Sequence, residues 1–382
     1  MRRFLARAGM LLAIAGVSFT PMAQAAAAPA AKPSQPVNSK PDAVVAVAAS
    51  GKNAYFPDLV RLRGGSLFAA YREGVGHVGM DGKLLSVTSA DGGRTWSAPR
   101  PLLDTPFDDR DPKLTVTDRG TLFVTYFEID WRTSPAISRG TSVIRSDDGG
   151  RTWTAPKKID TAMTGPSNES DSGYWLGWAA SHGAIVATGG GALLAPLYGT
   201  LPHDKWQRAS VVRSTDGGRT WRGETVIAAR PGIHFQEPVL TVLRDGQLVA
   251  LIRTNTGIAY LSRSPDGGAH WTEPQPTRIP ASSHHLLTTA EGSVLLTYGD
   301  VSGRFSPAPG RPTVGRLLDR PKGTFDEGKD VLLYDVGTPG APVFDQANPS
   351  SAEIRPGRFL TLTYDLGRHA VVGVYSTAGR YR

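Results

Sequence analysis

SADGGRTWSAP, residues Ser89–Pro99, returns as SDDGGRTWTAP from Ser146, as STDGGRTWRGE from Ser214 and, loosened, as SPDGGAHWTEP from Ser264. In this S-x-D-x-G-x-T-W pattern the Asp can accept backbone N–H groups within its own turn, and the Gly can take positive φ. The Trp can then pack beneath the next strand. Four copies of such a turn read as hairpin braces. A calcium loop is disfavoured, because acids do not recur at the alternate positions that an EF-hand loop uses.

A second repeat runs ahead of the first. A Gly followed by an apolar pair occurs in GGSLFAAY, RGTLFVTY, GGALLAPLY, DGQLVALI, EGSVLLTY and PGRFLTLTY, with glycines at 65, 120, 191, 246, 292 and 357. Six units of 46 to 71 residues, each holding two hairpins, predict an all-β fold: a six-bladed β-propeller with four-stranded antiparallel blades. The 44 Gly and 29 Pro in 382 residues, with few long apolar runs, agree with many turns and short strands.

The first 25 residues join an arginine-bearing start, the run LLAIAGVSF and a small-residue end at AQA, which predicts a signal peptide cleaved after Ala25. Residues 26–42, AAAAPAAKPSQPVNSKP, predict a disordered spacer, and 43–382 the propeller. The apolar run is too short to span a bilayer, no other segment is longer, and no cysteine is present, so export without a transmembrane anchor or disulfide is expected. The formal charge is +8; removing Arg2, Arg3 and Arg7 leaves 39 basic and 34 acidic residues, a net +5. There is no Lys/Arg block, so nucleic acid is not an expected partner, whereas an anionic ligand is compatible.

The four turns, the six in-phase hairpins and the leader together resemble the sialidase superfamily, whose catalytic domain is a six-bladed propeller braced by such turns, there called Asp boxes. The resemblance covers about residues 50–380. FQEPVLTVLRDGQLVALIRT carries it most closely: the family's catalytic glutamate corresponds to Glu237, and one of its three carboxylate-binding arginines to Arg253. Elsewhere the pattern departs. Tyr55-Phe56-Pro57 stands where the family has Arg-Ile-Pro, His77 near the general-acid Asp, and Asn348 where the nucleophilic Tyr is expected. Arg304 and Arg311 are the two choices for the third arginine.

Placement by repeat offset gives the site. A proline stands eight residues before four of the repeat glycines, at Pro57, Pro112, Pro238 and Pro349. The residues before them, Phe56, Asp111, Glu237 and Asn348, with His182 and Ser283 by offset, should ring the mouth. Seven residues after the glycines, where the second strand regains that face, stand Arg72, Phe127, Tyr198, Arg253, Gly299 beside Tyr298, and Tyr364. The Asp boxes then lie on the opposite face.

This predicts Glu237, His77 and Asp111 as acid/base groups and Arg72, Arg110, Arg253, Tyr298 and Asn348 as binding groups. Guanidinium forks suit a carboxylate and aromatic rings suit sugar faces. No metal or cofactor is expected. The resemblance implies a sialidase-like glycoside hydrolase on an acidic glycan. Alternatives are a lyase on a uronate-containing glycan, in which a His or Tyr removes the proton beside the carboxylate, and a non-catalytic glycan-binding or assembly propeller.

Overall fold

The computed structural model describes residues 43–49, 51–165, 175–177, 179–319, 321, 323–337 and 341–382. The leader and spacer expected over 1–25 and 26–42 lie outside the described residues. What is described is all-β, with six sheets arranged as propeller blades, antiparallel except where the two-residue strand Trp175–Leu176 pairs parallel with Ala136–Ser146. Blade 1 runs through Asn53–Arg61, Leu67–Gly74, Lys83–Ser89 and Arg100–Leu103, and blade 2 through Asp108–Val116, Leu122–Asp130, Ala136–Ser146 and Lys157–Lys158. In blade 3 the first strand is broken into Ala179–Ala180 and Val186–Ala187, followed by Leu193–Gly199, Arg208–Ser214 and Arg222–Ala228. Blade 4 uses Phe235–Val242, Leu248–Thr254, Tyr260–Ser264 and Gln275–Pro276. Blade 5 uses Ala281–Thr288, Val294–Asp300, Thr313–Leu318 and Val331–Tyr334. Blade 6 takes Ala347–Arg355, Arg358–Asp365 and Ala370–Thr377, and its fourth strand is Ala43–Ala49 from the other end of the chain. That strand closes the ring non-covalently and covers the edge that Ala370–Thr377 would otherwise leave open.

First strands of neighbouring blades pack against one another around the axis. They are tied by groups that cross between blades: the Leu59 N–H donates to Ser350 Oγ (3.1 Å), and the Leu114 N–H to the buried Asp58 carboxylate.

The quoted repeat is a clamp between blades. In each copy the Ser hydroxyl lies 2.7–2.9 Å from the Asp carboxylate and accepts the N–H of the second Gly (Gly93, Gly150, Gly218 or Gly268). The Asp then caps the two N–H groups that follow. The second Gly has φ between 81° and 91° and presses its bare Cα onto the preceding blade: Gly93 on Leu360, Gly150 on Phe68, Gly218 on Phe123 and Gly268 on Leu194. Those four partners all belong to the Gly-plus-apolar-pair repeat, so the two sequence repeats are the two halves of one joint.

Gly218→Ala is therefore expected to destabilise the fold by about 2–4 kcal/mol. The Cβ is strained at positive φ and overlaps the Phe123 ring. Denaturant unfolding checks this. A loss below about 0.5 kcal/mol, the range of an ordinary surface change, would show that the joint yields freely.

Candidate functional site

Five of the six first strands break register around the position eight residues before the repeat glycine, at Tyr55/Asp58, Arg110/Lys113, Gln236/Val239, Ser282/His285 and Ala347/Ser350. At each break a non-glycine residue is left-handed: Phe56 (φ 52°), Asp111 (48°), Glu237 (49°), Ser283 (49°) and Asn348 (53°), the last beside Ala347, which is also at positive φ (76°). A left-handed L-residue costs on the order of 1 kcal/mol or more, and such strain concentrates at functional sites. Four of the five precede proline, which already bars the right-handed helical region. The bulge swings these side chains off the strand and toward the axis. The residue before each break pairs with the second-strand position singled out by offset: Tyr55 with Arg72, Arg110 with Phe127, Gln236 with Arg253, Ser282 with Gly299 and Ala347 with Tyr364.

Contacts across the axis show that the ring converges. Lys113 Nζ donates to Asn348 Oδ1 (3.2 Å) and Asn348 Nδ2 to Asp111 Oδ1 (3.4 Å), all three residues being nearly buried. Arg253 Nη1 donates to Glu237 Oε1 (2.8 Å), and the Ser283 N–H to Oε2 (3.1 Å). The side chains remain within reach of solvent, 14% exposed for Glu237, 31% for Arg253 and 11% for Asp111. His182 and His284, with ring centres 6.2 Å apart, are buried beside Glu237, and burial holds both imidazoles neutral to well below their ordinary range.

The two carboxylates are driven in opposite directions. Burial lifts Asp111 above the ordinary range, and the negative charge of Glu237 adds to that, against the pull of Arg110 and Lys113. Burial also opposes ionisation of Glu237, but Arg253 first, then His182 and His284, and last Arg311 outweigh it and hold the group well below the carboxylate range. Carboxyl groups separated in this way are the pattern of an acid and a base sharing one site.

His77 projects from the loop after the second strand of blade 1, its side chain 47% exposed, and its ring meets Phe56 edge-on at 5.0 Å. Its Nδ1 lies 3.0 Å from Asp345 Oδ1, the oxygen that also accepts from Tyr364 Oη (2.6 Å). Arg311 donates to the Gln346 carbonyl (2.8 Å), reaches Tyr364 Oη at 3.4 Å and lies 5.1 Å over the Phe344 ring. Of the two choices for a third arginine, Arg311 stands in the mouth, while Arg304 pairs with Asp330 (3.2 Å). Asp345, Lys113 and His284 carry no motif and were not singled out by the sequence. Lys113 could have been found as the residue after Pro112 on the same bulge.

Three sequence-derived binding residues are placed differently from expectation. Arg72 has no exposed side-chain surface; its Nε donates to Asp108 Oδ1 (2.7 Å) and its Nη1 to the Gly76 carbonyl (2.8 Å). Asp108 is equally enclosed and also accepts from Arg110 Nη1 (3.0 Å), Trp131 Nε1 (2.8 Å) and the Gly79 N–H (3.2 Å). Tyr298 has no exposed surface and belongs to the apolar core between blades 4 and 5, where burial raises its phenol far above the ordinary range. The offset counts were right about register, but a strand residue points to one sheet face or the other, and these two point into blade interfaces. Arg110 is 7% exposed, its guanidinium held by the His77 carbonyl (2.7 Å) and Asp108 and lying over Phe56 at 5.1 Å. Among the described residues no cluster of three or more His, Cys, Asp or Glu has metal-binding geometry.

A family model described as a BNR repeat-like domain matches residues 108–308, more than half of the chain. A sialidase of Paraclostridium sordellii is 25% identical over 257 residues, which is 62% of this chain and 60% of that protein, so the chain spans less than two thirds of that curated relative's length. Among solved structures, a protein of unknown function from Dyadobacter fermentans DSM 18053 superposes with a TM-score of 0.76 at 23% identity, covering 88% of this chain and 98% of its own. The Hadza microbial sialidase Hz136 gives a TM-score of 0.65 at 19% identity, covering 86% and 66%. At these identities the two structures speak to fold.

Proposed function

Because the chain belongs to the BNR repeat-like family within the sialidase superfamily, we propose that it is an exported glycoside hydrolase that cleaves an acidic glycan at the propeller mouth. The observation that carries this reading is that Glu237 and Asp111 each stand on a left-handed bulge of a first strand, one carboxyl held low and the other lifted, with the charge of Glu237 helping to lift Asp111. Glu237, ionised, takes a proton from a water whose oxygen attacks the anomeric carbon. Asp111, protonated, gives its proton to the glycosidic oxygen as that bond breaks. Asn348, at the position of the family's nucleophilic Tyr, cannot form the covalent intermediate, which favours direct attack by water. Arg253 and Arg311 supply the positive field for a substrate carboxylate, with Phe344, 56% exposed, as an apolar surface for a sugar face. Arg72 and Tyr298, without exposed surface, serve as framework rather than as ligands of the glycan. The leader supports export, and among the described residues no helix is long and apolar enough to cross a membrane.

A second reading, a uronate lyase, is favoured by His77. Its Nδ1 is fixed by Asp345, which leaves Nε2 directed away from that partner and able to accept a proton. One assay separates the two: the purified chain is incubated with a sialoside and a panel of uronate-containing glycans, and products are read as free reducing sugar and as ultraviolet absorbance. Reducing sugar without absorbance supports the hydrolase, and an absorbing unsaturated product supports the lyase. Silence on every glycan removes both in favour of a binding propeller.

A further inference from the structure

The opposite face of the propeller holds a second cluster that the mouth does not use. Between the first and last blades lies a cleft of about 490 Å³ lined by Arg61, Arg94, Arg355 and Arg358, with Ile354 and Tyr375 on its walls. Arg61 ends the first strand of blade 1, Arg94 belongs to the Ser89 turn, and Arg355 and Arg358 flank the hairpin of blade 6. All four arginines are exposed, and among the described residues none forms an ion pair.

The one acid in the lining, Asp91, is held within its own turn. Its carboxylate is committed to Thr95 Oγ1 (2.6 Å), the Ser89 hydroxyl (2.8 Å) and the N–H groups of Arg94 (2.9 Å) and Thr95 (3.0 Å). Arg355 and Arg358 are direct cross-strand partners, and like charges directly opposite destabilise a hairpin unless an anion lies between them. In the corresponding cleft between blades 2 and 3, Arg145 pairs with Asp147 and donates to the Gly217 carbonyl (3.1 Å), beside Lys157 and Arg219 in the same lining.

We propose that this cleft is a second binding site, for an anionic polysaccharide segment whose carboxylates pair with the guanidinium forks while a sugar face rests on Tyr375 and Ile354. The choice of glycan over other polyanions rests on the hydrolase reading of the mouth; the cationic cleft itself does not. A chain held on this face is brought to the enzyme without occupying the mouth, which raises the local concentration of cleavable ends.

The test is affinity electrophoresis of the full chain in gels containing polygalacturonate, with neutral dextran and double-stranded DNA as comparison polymers. Wild type is compared with Arg355→Ser/Arg358→Ser, Arg61→Ser and Glu237→Gln. The expected result is retention by polygalacturonate but not dextran, lost on raising salt, and weakened about tenfold or more in the double variant at unchanged melting temperature. Arg61→Ser should show a smaller loss and Glu237→Gln none. Equal retention of wild type and double variant overturns the proposal, as does tighter retention by DNA than by polygalacturonate. Retention with no sugar released from any glycan would overturn the hydrolase reading while leaving the cationic site in place, so the two failures are distinguishable.

Discussion

Under the proposed mechanism, Glu237→Gln is expected to lower kcat by about 10²–10⁴-fold on the acidic glycan that is cleaved, the span that general acid–base groups contribute. The substitution keeps the shape of the side chain and removes its charge and its basicity. One partner, either Arg253 or the Ser283 N–H, then faces an amide NH₂, at a cost of about 1–3 kcal/mol for a lost buried bond. The melting temperature should therefore fall by only a few degrees while turnover is lost. A variant with wild-type kcat would remove Glu237 from the chemistry altogether, and one that fails to fold is to be replaced by Glu237→Asp, which preserves the charge but draws it back from the mouth.

Arg72→Ala has the largest expected effect on stability, about 3–5 kcal/mol, because it strands the Asp108 carboxylate where it has no exposed surface. Asp108 keeps Arg110, Trp131 and the Gly79 N–H, which places the loss toward the lower end. The double substitution Arg72→Met/Asp108→Leu removes the stranded carboxylate and should recover only part of the loss, since Arg110, Trp131 and the Gly79 N–H then give up their bonds to Asp108. Denaturant unfolding of the single and double variants decides it. An Arg72→Ala protein that unfolds like wild type yet shows a raised KM would mean that Arg72 reaches the substrate after all.

Periodicity made the architecture readable, and it also located the left-handed bulges at Phe56, Asp111, Glu237 and Asn348, because proline marked four of them. Ser283 lacks that proline and followed only from counting, and His182 falls in the gap of the broken first strand of blade 3. What repeat offsets could not supply was side-chain direction. Arg72 and Arg253 occupy equivalent register positions, yet Arg72 turns into the structure to meet Asp108 while Arg253 meets Glu237 at the mouth. The difference lies in which acid the neighbouring strand offers, and no local pattern encodes that. Asp345 and Arg311 come from loops of blades 5 and 6 without repeat partners, so their meeting with His77 and Tyr364 exists only after the ring has closed. Closure itself uses Ala43–Ala49, a strand outside the six repeat units. The four arginines of the opposite cleft are likewise scattered from 61 to 358 and form no basic run in the sequence.

The measurement that bears most directly on the mouth chemistry is the pH dependence of kcat/KM for wild type and Asp111→Asn. The proposed mechanism needs Glu237 ionised and Asp111 protonated. Glu237 is held below the ordinary carboxylate range, so the acidic limb should lie at unusually low pH; Asp111 is lifted above that range, so the alkaline limb should come where Asp111 gives up its proton. In Asp111→Asn the rate should fall about 10²–10⁴-fold and the alkaline limb should disappear, whereas a full-rate variant with the same alkaline limb as wild type would contradict the assignment of Asp111 as the acid.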